Sequence, residues 1–123
     1  MRLLLDTHSF LWFLEANPRL SAKAQSLIHD GANEVYLSVA SLWEIAIKIS
    51  LGKFQLALPF HEFAETQLSM NEIGVLGIKV DHIVEVAGLT FHHRDPFDRL
   101  LIAQAMIETM PIISADTAFD AYG

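Results

Sequence analysis

Two short apolar runs, each ending in an aspartate, constrain this chain more than any other feature. Leu3-Leu4-Leu5 runs into Asp6, and Ile112-Ile113-Ser114-Ala115 runs into Asp116. A run that is apolar throughout, rather than at alternate positions, fits a strand buried on both faces. Between the two, strand-like and helical stretches alternate. Arg2–Asp6 reads as the first strand, Ser9–Ala16 as a helix stopped by Asn17-Pro18, and Ser21 as the cap of a helix to about Asp30, ended by Gly31. Val35–Ser38 is a second strand. Ser41 opens a helix through Leu51 with Gly52 just beyond it, and Pro59 begins another to about Met70. Gly74–Ile78 is a third strand and Asp81–Gly88 a short helix. Asp95-Pro96 starts the helix that ends near Met110, Pro111–Ala115 is a fourth strand, and Asp116–Tyr122 is a final turn or short helix. Strands separated by helices imply βαβ units, hence an α/β fold with a parallel sheet covered on both faces.

The 123 residues suit a single domain over 1–123. An apolar content of 52% excludes a disordered chain, and its excess suggests a face buried against a partner. With no cysteine there is no disulfide framework, no Cys-ligated zinc and no thiol catalysis. The longest stretch free of charge and histidine is Val35–Trp43, far short of the ~18 residues a membrane span needs. Met1–Asp6 is too short for a signal peptide. A soluble, cytoplasmic protein with no membrane partner is expected.

Ligands of parallel α/β sheets sit outside the carboxyl ends of the strands. Asp6 and Asp116 end strands there. Glu44 and Asp98 sit in the first turns of the helices begun by Ser41 and Asp95, which start at the same rim. Each has a bland role. Ser41-x-x-Glu44 reads as a capping box, Asp95 as an N-cap with Pro at N1, and Asp98 at N3 suits the helix dipole. Asp6 and Asp116 can cap the helices after them. Together the four read differently, because Glu44 and Asp98 sit on mostly apolar helices, whereas caps normally face water. Crowded, partly buried carboxylates repel unless a cation lies between them. All-oxygen donors without Cys or paired His favour Mg²⁺, with Mn²⁺ as the substitute.

These segments resemble the PIN domains of VapC-type toxins. The resemblance rests on Leu3–His8, on Ser41–Lys48 with Gly52-Lys53, on His93–Ala105, and on Ile113–Asp116 with Phe119. It covers nearly the whole chain. It implies a PIN-like three-layer sandwich of four to five parallel strands flanked by helices on both faces. It also implies a metal-dependent endoribonuclease, a homodimer, and a cognate antitoxin that blocks the site. By position, Asp6, Glu44, Asp98 and Asp116 form the acidic quartet, with Thr7 and Ser114 as hydroxyls beside the metal.

On this reading Asp6, Asp98 and Asp116 hold the metal, and Glu44 orients or deprotonates a water. The net charge of −7 argues against a nucleic-acid partner until a bound cation is counted at the acidic rim. Lys48, Lys53, Arg94 and Arg99 are candidate phosphate contacts for an RNA substrate. For Lys48 an ion pair with Glu44 one turn away is the equal alternative, and Arg99 also reads as a surface or ion-pair residue. Phe10, Trp12 and Phe13 read first as core and second as an interface. His8 reads first as structural. Two other functions stay open. One is an inactive PIN fold that only binds. The other is a phospho-accepting receiver-like domain, disfavoured because Asp6 stands alone after its strand.

Overall fold

A computed structural model describes residues 1–89 and 95–114. The elements are β1 (Arg2–Leu5), α1 (Thr7–Leu14), α2 (Ala22–His29), β2 (Glu34–Ser38), α3 (Val39–Ser50), α4 (Phe60–Met70), β3 (Ile73–Leu76), α5 (Val80–Gly88), α6 (Pro96–Glu108) and β4 (Ile112–Ile113). The four strands form one parallel sheet in the order β3-β2-β1-β4. The fold class expected from the alternating pattern is therefore the one observed. The region after Ser114, where a fifth strand would fall, lies outside the described residues.

Alternate strand residues feed two cores. Leu3, Leu5, Val35, Leu37, Ile73 and Ile113 face a cluster with Phe10 and Leu11 of α1, Ala24 of α2 and Ile45 of α3. Leu4 and Leu76, with the partly buried Tyr36 and Ile112, face Leu101 and Ala105 of α6. The register aligns these sets, pairing Leu3 with Val35 and Val35 with Ile73. Leu3, Leu4 and Leu5 are buried on both faces, as their unbroken apolar run requires. Phe10 is fully buried, and Trp12 and Phe13 pack against the same cluster, so the aromatic patch is core.

Polar side chains start the helices. Asp6, Ser21, Ser38 and Asp95 each accept a hydrogen bond from a first-turn amide of α1, α2, α3 and α6. Such caps contribute about 1 kcal/mol each. Gly52 follows α3 at φ 72°, the left-handed position that glycine adopts without strain. The third strand runs over Ile73–Leu76 rather than Gly74–Ile78, the fourth is confined to Ile112–Ile113, and two helix starts differ from expectation for a physical reason. Helix α1 begins at Thr7 rather than Ser9, because Asp6 caps it with no intervening loop. Helix α3 begins at Val39 rather than Ser41, because the last residue of β2, Ser38, is itself the N-cap. Ser41 and Glu44 are thus inside α3 and form no capping box.

Candidate active site

The strand order reverses between β1 and β4. From β1 the chain steps outward through β2 and β3, then returns to the other side of β1. In open parallel sheets a crevice forms at the carboxyl edge of such a switch point. Asp6 and Ser114 end the two strands that flank it.

Asp6 is 3% exposed. Its Oδ1 accepts from the Ser9 amide at 2.7 Å, and its Oδ2 accepts from Ser114 Oγ at 2.6 Å. Both of these donors are neutral, and no cation pairs with Asp6 among the described residues. A buried carboxylate without a counter-charge is costly. Ser9 Oγ, fully buried in the same turn, has no hydrogen-bond partner among the described residues.

Thr7, next to Asp6 in the chain, turns its hydroxyl to Glu44. Thr7 Oγ1 donates to Glu44 Oε1 at 2.7 Å and lies 2.9 Å from Ser41 Oγ. The threonine has one proton and the carboxylate can only accept, so Ser41 supplies the proton of the second contact. Glu44 is 9% exposed, and its other oxygen pairs with Lys48 Nζ at 3.3 Å. The ion-pair reading of Lys48 is therefore the one observed. Helix α3 is not buried all round. Trp43 is 58% exposed, edge-on to Phe97 of α6.

Asp98 sits half-buried in the first turn of α6, where its amide donates to Asp95 Oδ1 at 3.2 Å. Arg99 Nη2 donates to the Val86 carbonyl at 3.3 Å, joining α6 to α5. His8 is exposed, its ring 6.0 Å from that of Trp12. Asp116, Arg94, His92, His93 and Phe119 lie outside the described residues. The structure thus joins Ser114 to Asp6, and joins Glu44 to Thr7, the residue that follows Asp6 in the chain. Among the described residues no three carboxylates or imidazoles gather into a metal-holding set. The donors present are nonetheless of the kind a hard divalent cation takes, being oxygen only, with Asp6 uncompensated.

A second polar chain escaped the sequence reading. Ser38 Oγ donates to Gln104 Oε1 at 2.6 Å, and Gln104 Nε2 donates to the Gly77 carbonyl at 3.2 Å. His82 Nδ1 accepts from the Lys79 amide, and His82 Nε2 meets Glu108 Oε2 at 2.9 Å. The His82 contact holds the Glu108 carboxyl below its usual range, helped by Lys79 and Arg2 and opposed by partial burial. The available signal was Gln104 itself, a polar residue inside the buried run Leu101–Ala105.

A parallel α/β fold with a buried carboxylate, Asp6, at its switch point defines the class. The PIN domain family model matches residues 3–123, and the chain belongs to that family. It is 36% identical over 70 residues to ribonuclease VapC16 of Mycobacterium tuberculosis, a match covering 54% of this chain. The chain spans only about half of that relative, 48% of its length. Its fold is similar to VapBC2 of Rickettsia felis bound to a DNA fragment from its promoter, with TM-score 0.69 and 13% identity over 99% of this chain and 93% of that one. It is also similar to VapBC-1 of nontypeable Haemophilus influenzae, with TM-score 0.66 and 14% identity over 99% and 92%. No helix among the described residues is long and apolar enough to cross a membrane.

Proposed function

We propose that this protein is a metal-dependent endoribonuclease of the VapC type, the toxin of a toxin–antitoxin pair. The observation that carries the reading is Asp6, buried at the switch point with neutral donors only, beside Thr7 whose hydroxyl holds the buried Glu44. The likeness to a ribonuclease VapC and to VapBC assemblies supports it.

Asp6, Asp98 and Asp116 would hold Mg²⁺, or Mn²⁺ in its place. Bound there, the ion would lower the pKa of a water and offset charge building on the phosphodiester. Ser114 and the Ser9 amide fix the orientation of the Asp6 carboxylate. Thr7 fixes one oxygen of Glu44 and Lys48 the other, so Glu44 is held in place to orient a water or accept its proton. Protein dipoles set in advance need no reorganisation during the reaction. The substrate is single-stranded or looped RNA in the cytoplasm.

A homodimer and an antitoxin chain are the partners proposed. Val80, Ile83 and Val84 of α5 are all exposed, in keeping with apolar surface that a partner covers. Cleavage of RNA that stops in excess EDTA tests the activity, and activity undiminished by EDTA contradicts it. Sedimentation at micromolar concentration tests the dimer. Co-purification from the native operon tests the antitoxin.

A further inference from the structure

Ser38 and Gln104 are both fully buried, and their 2.6 Å bond joins two helices that each carry a candidate carboxylate. Ser38 caps α3, which bears Glu44, and Gln104 lies on α6, which begins near Asp98. We propose that Gln104 is a positioning residue, fixing the helix of Glu44 against the helix of Asp98 so that both carboxylates serve one metal site. The inference rests on the metal-dependent reading above.

The polarity of the chain of bonds is fully determined. The Gly77 carbonyl can only accept, so the amide nitrogen of Gln104 faces it and the amide oxygen faces Ser38. Ser38 Oγ therefore donates to Gln104 while accepting from the Ala40 amide at 3.0 Å. His82 Nδ1 accepts from the Lys79 amide, with Gln104 Nε2 on the same side at 3.5 Å, which leaves the ring proton on Nε2, facing Glu108. Each member has one usable orientation, so the side chain of Gln104 cannot rotate away without leaving buried groups unpaired.

Apolar packing brings α3 and α6 together through Leu101 beside Ala40 and the edge contact of Trp43 with Phe97, and the buried bond adds a directional constraint at the start of α3. Ala40 of α3 and Ala105 of α6 are small and buried in one cluster, which leaves room for the two helices to approach closely. An apolar residue of similar shape would fill the position as well as an amide. It would not specify where Ser38, and hence the start of α3, must sit. Partners that orient metal-binding carboxylates typically matter by ~10–100-fold in metal affinity.

Gln104→Met keeps the length of the side chain and removes the amide. Ser38→Gly breaks the same bond from the other end, at a helix-capping position that tolerates glycine. Mn²⁺ titrated calorimetrically into the RNA-free protein should bind ~10-fold or more weakly to each variant. Cleavage should recover toward the wild-type kcat at saturating metal, and the Ala40 amide of the metal-free protein should exchange faster. Leu20→Ala, in the opposite core, destabilises the fold and should leave Mn²⁺ affinity unchanged. Either variant binding Mn²⁺ as tightly as the wild type overturns the positioning role, and a matching loss in Leu20→Ala reduces it to general stability. A wild-type protein that binds Mn²⁺ but cleaves no RNA refutes the nuclease reading and leaves this one standing. A wild-type protein that binds no Mn²⁺ overturns both.

Discussion

Ser114 Oγ donates to Asp6 Oδ2 at 2.6 Å, tying the carboxyl end of β4 to that of β1 across the point where the strand order reverses. The bond leaves the Asp6 carboxylate one orientation. Ser114→Ala should lower cleavage and Mg²⁺ affinity together, by ~10-fold or more. Steady-state rates across a Mg²⁺ titration check this, and an unchanged metal dependence would assign the bond to folding alone.

Asp6 has two roles that substitution can separate. It caps α1 through the Ser9 amide, and it carries a buried negative charge. Asparagine caps about as well as aspartate, so Asp6→Asn should keep its melting temperature, while Asp6→Ala should lose about 1 kcal/mol of stability. Both should abolish cleavage, as should Asp98→Asn and Asp116→Asn. Thermal unfolding beside an activity assay gives the comparison. Asp6→Asn retaining activity would leave Asp6 a cap and nothing more.

Glu44 caps nothing, since Ser38 starts α3 and Glu44 lies well inside it. Glu44→Gln can still accept from Thr7 and loses the partly exposed Lys48 pair, a change of under ~1 kcal/mol. Activity should fall at least ~10²-fold if the charge orients or deprotonates a water. Near-full activity at saturating Mg²⁺ would remove Glu44 from the site.

The order of elements was legible because strand and helix patterns carry different periods and are punctuated by Pro, Gly and capping residues. Ser21, Gly52 and Asp95 act where the sequence places them. The starts of α1 and α3 were not legible. Both strands pass straight into helix, so the residue ending the strand is also the cap; the capping role of Asp6 was legible, but the absence of a loop after it was not, and Ser41 drew the cap of α3 away from Ser38. The rim carboxylates were legible singly, as strand-end and helix-start acids. The bond from Thr7 to Glu44 was not, because it joins residues far apart in sequence. The Ser38–Gln104–His82–Glu108 chain was hidden for the same reason.

Glu108 supplies a test of pH dependence. His82, Lys79 and Arg2 hold its folded pKa below the unfolded value. Such a carboxylate contributes stability that is present above its unfolded pKa and lost as pH falls through its folded pKa. Glu108→Gln should therefore be less stable than the wild type near neutral pH. The gap should close below the ordinary carboxylate range. Denaturant midpoints measured from neutral to acid pH check the sign, and a gap that widens in acid would contradict it.

The most direct test of the central claim is cleavage of single-stranded RNA by the purified protein, first in excess EDTA and then after Mg²⁺ is restored. The account predicts no cleavage in EDTA, recovery with Mg²⁺, and no recovery for Asp6→Asn under the same conditions. Cleavage that persists in EDTA, or that Asp6→Asn carries out as fast as the wild type, would contradict it.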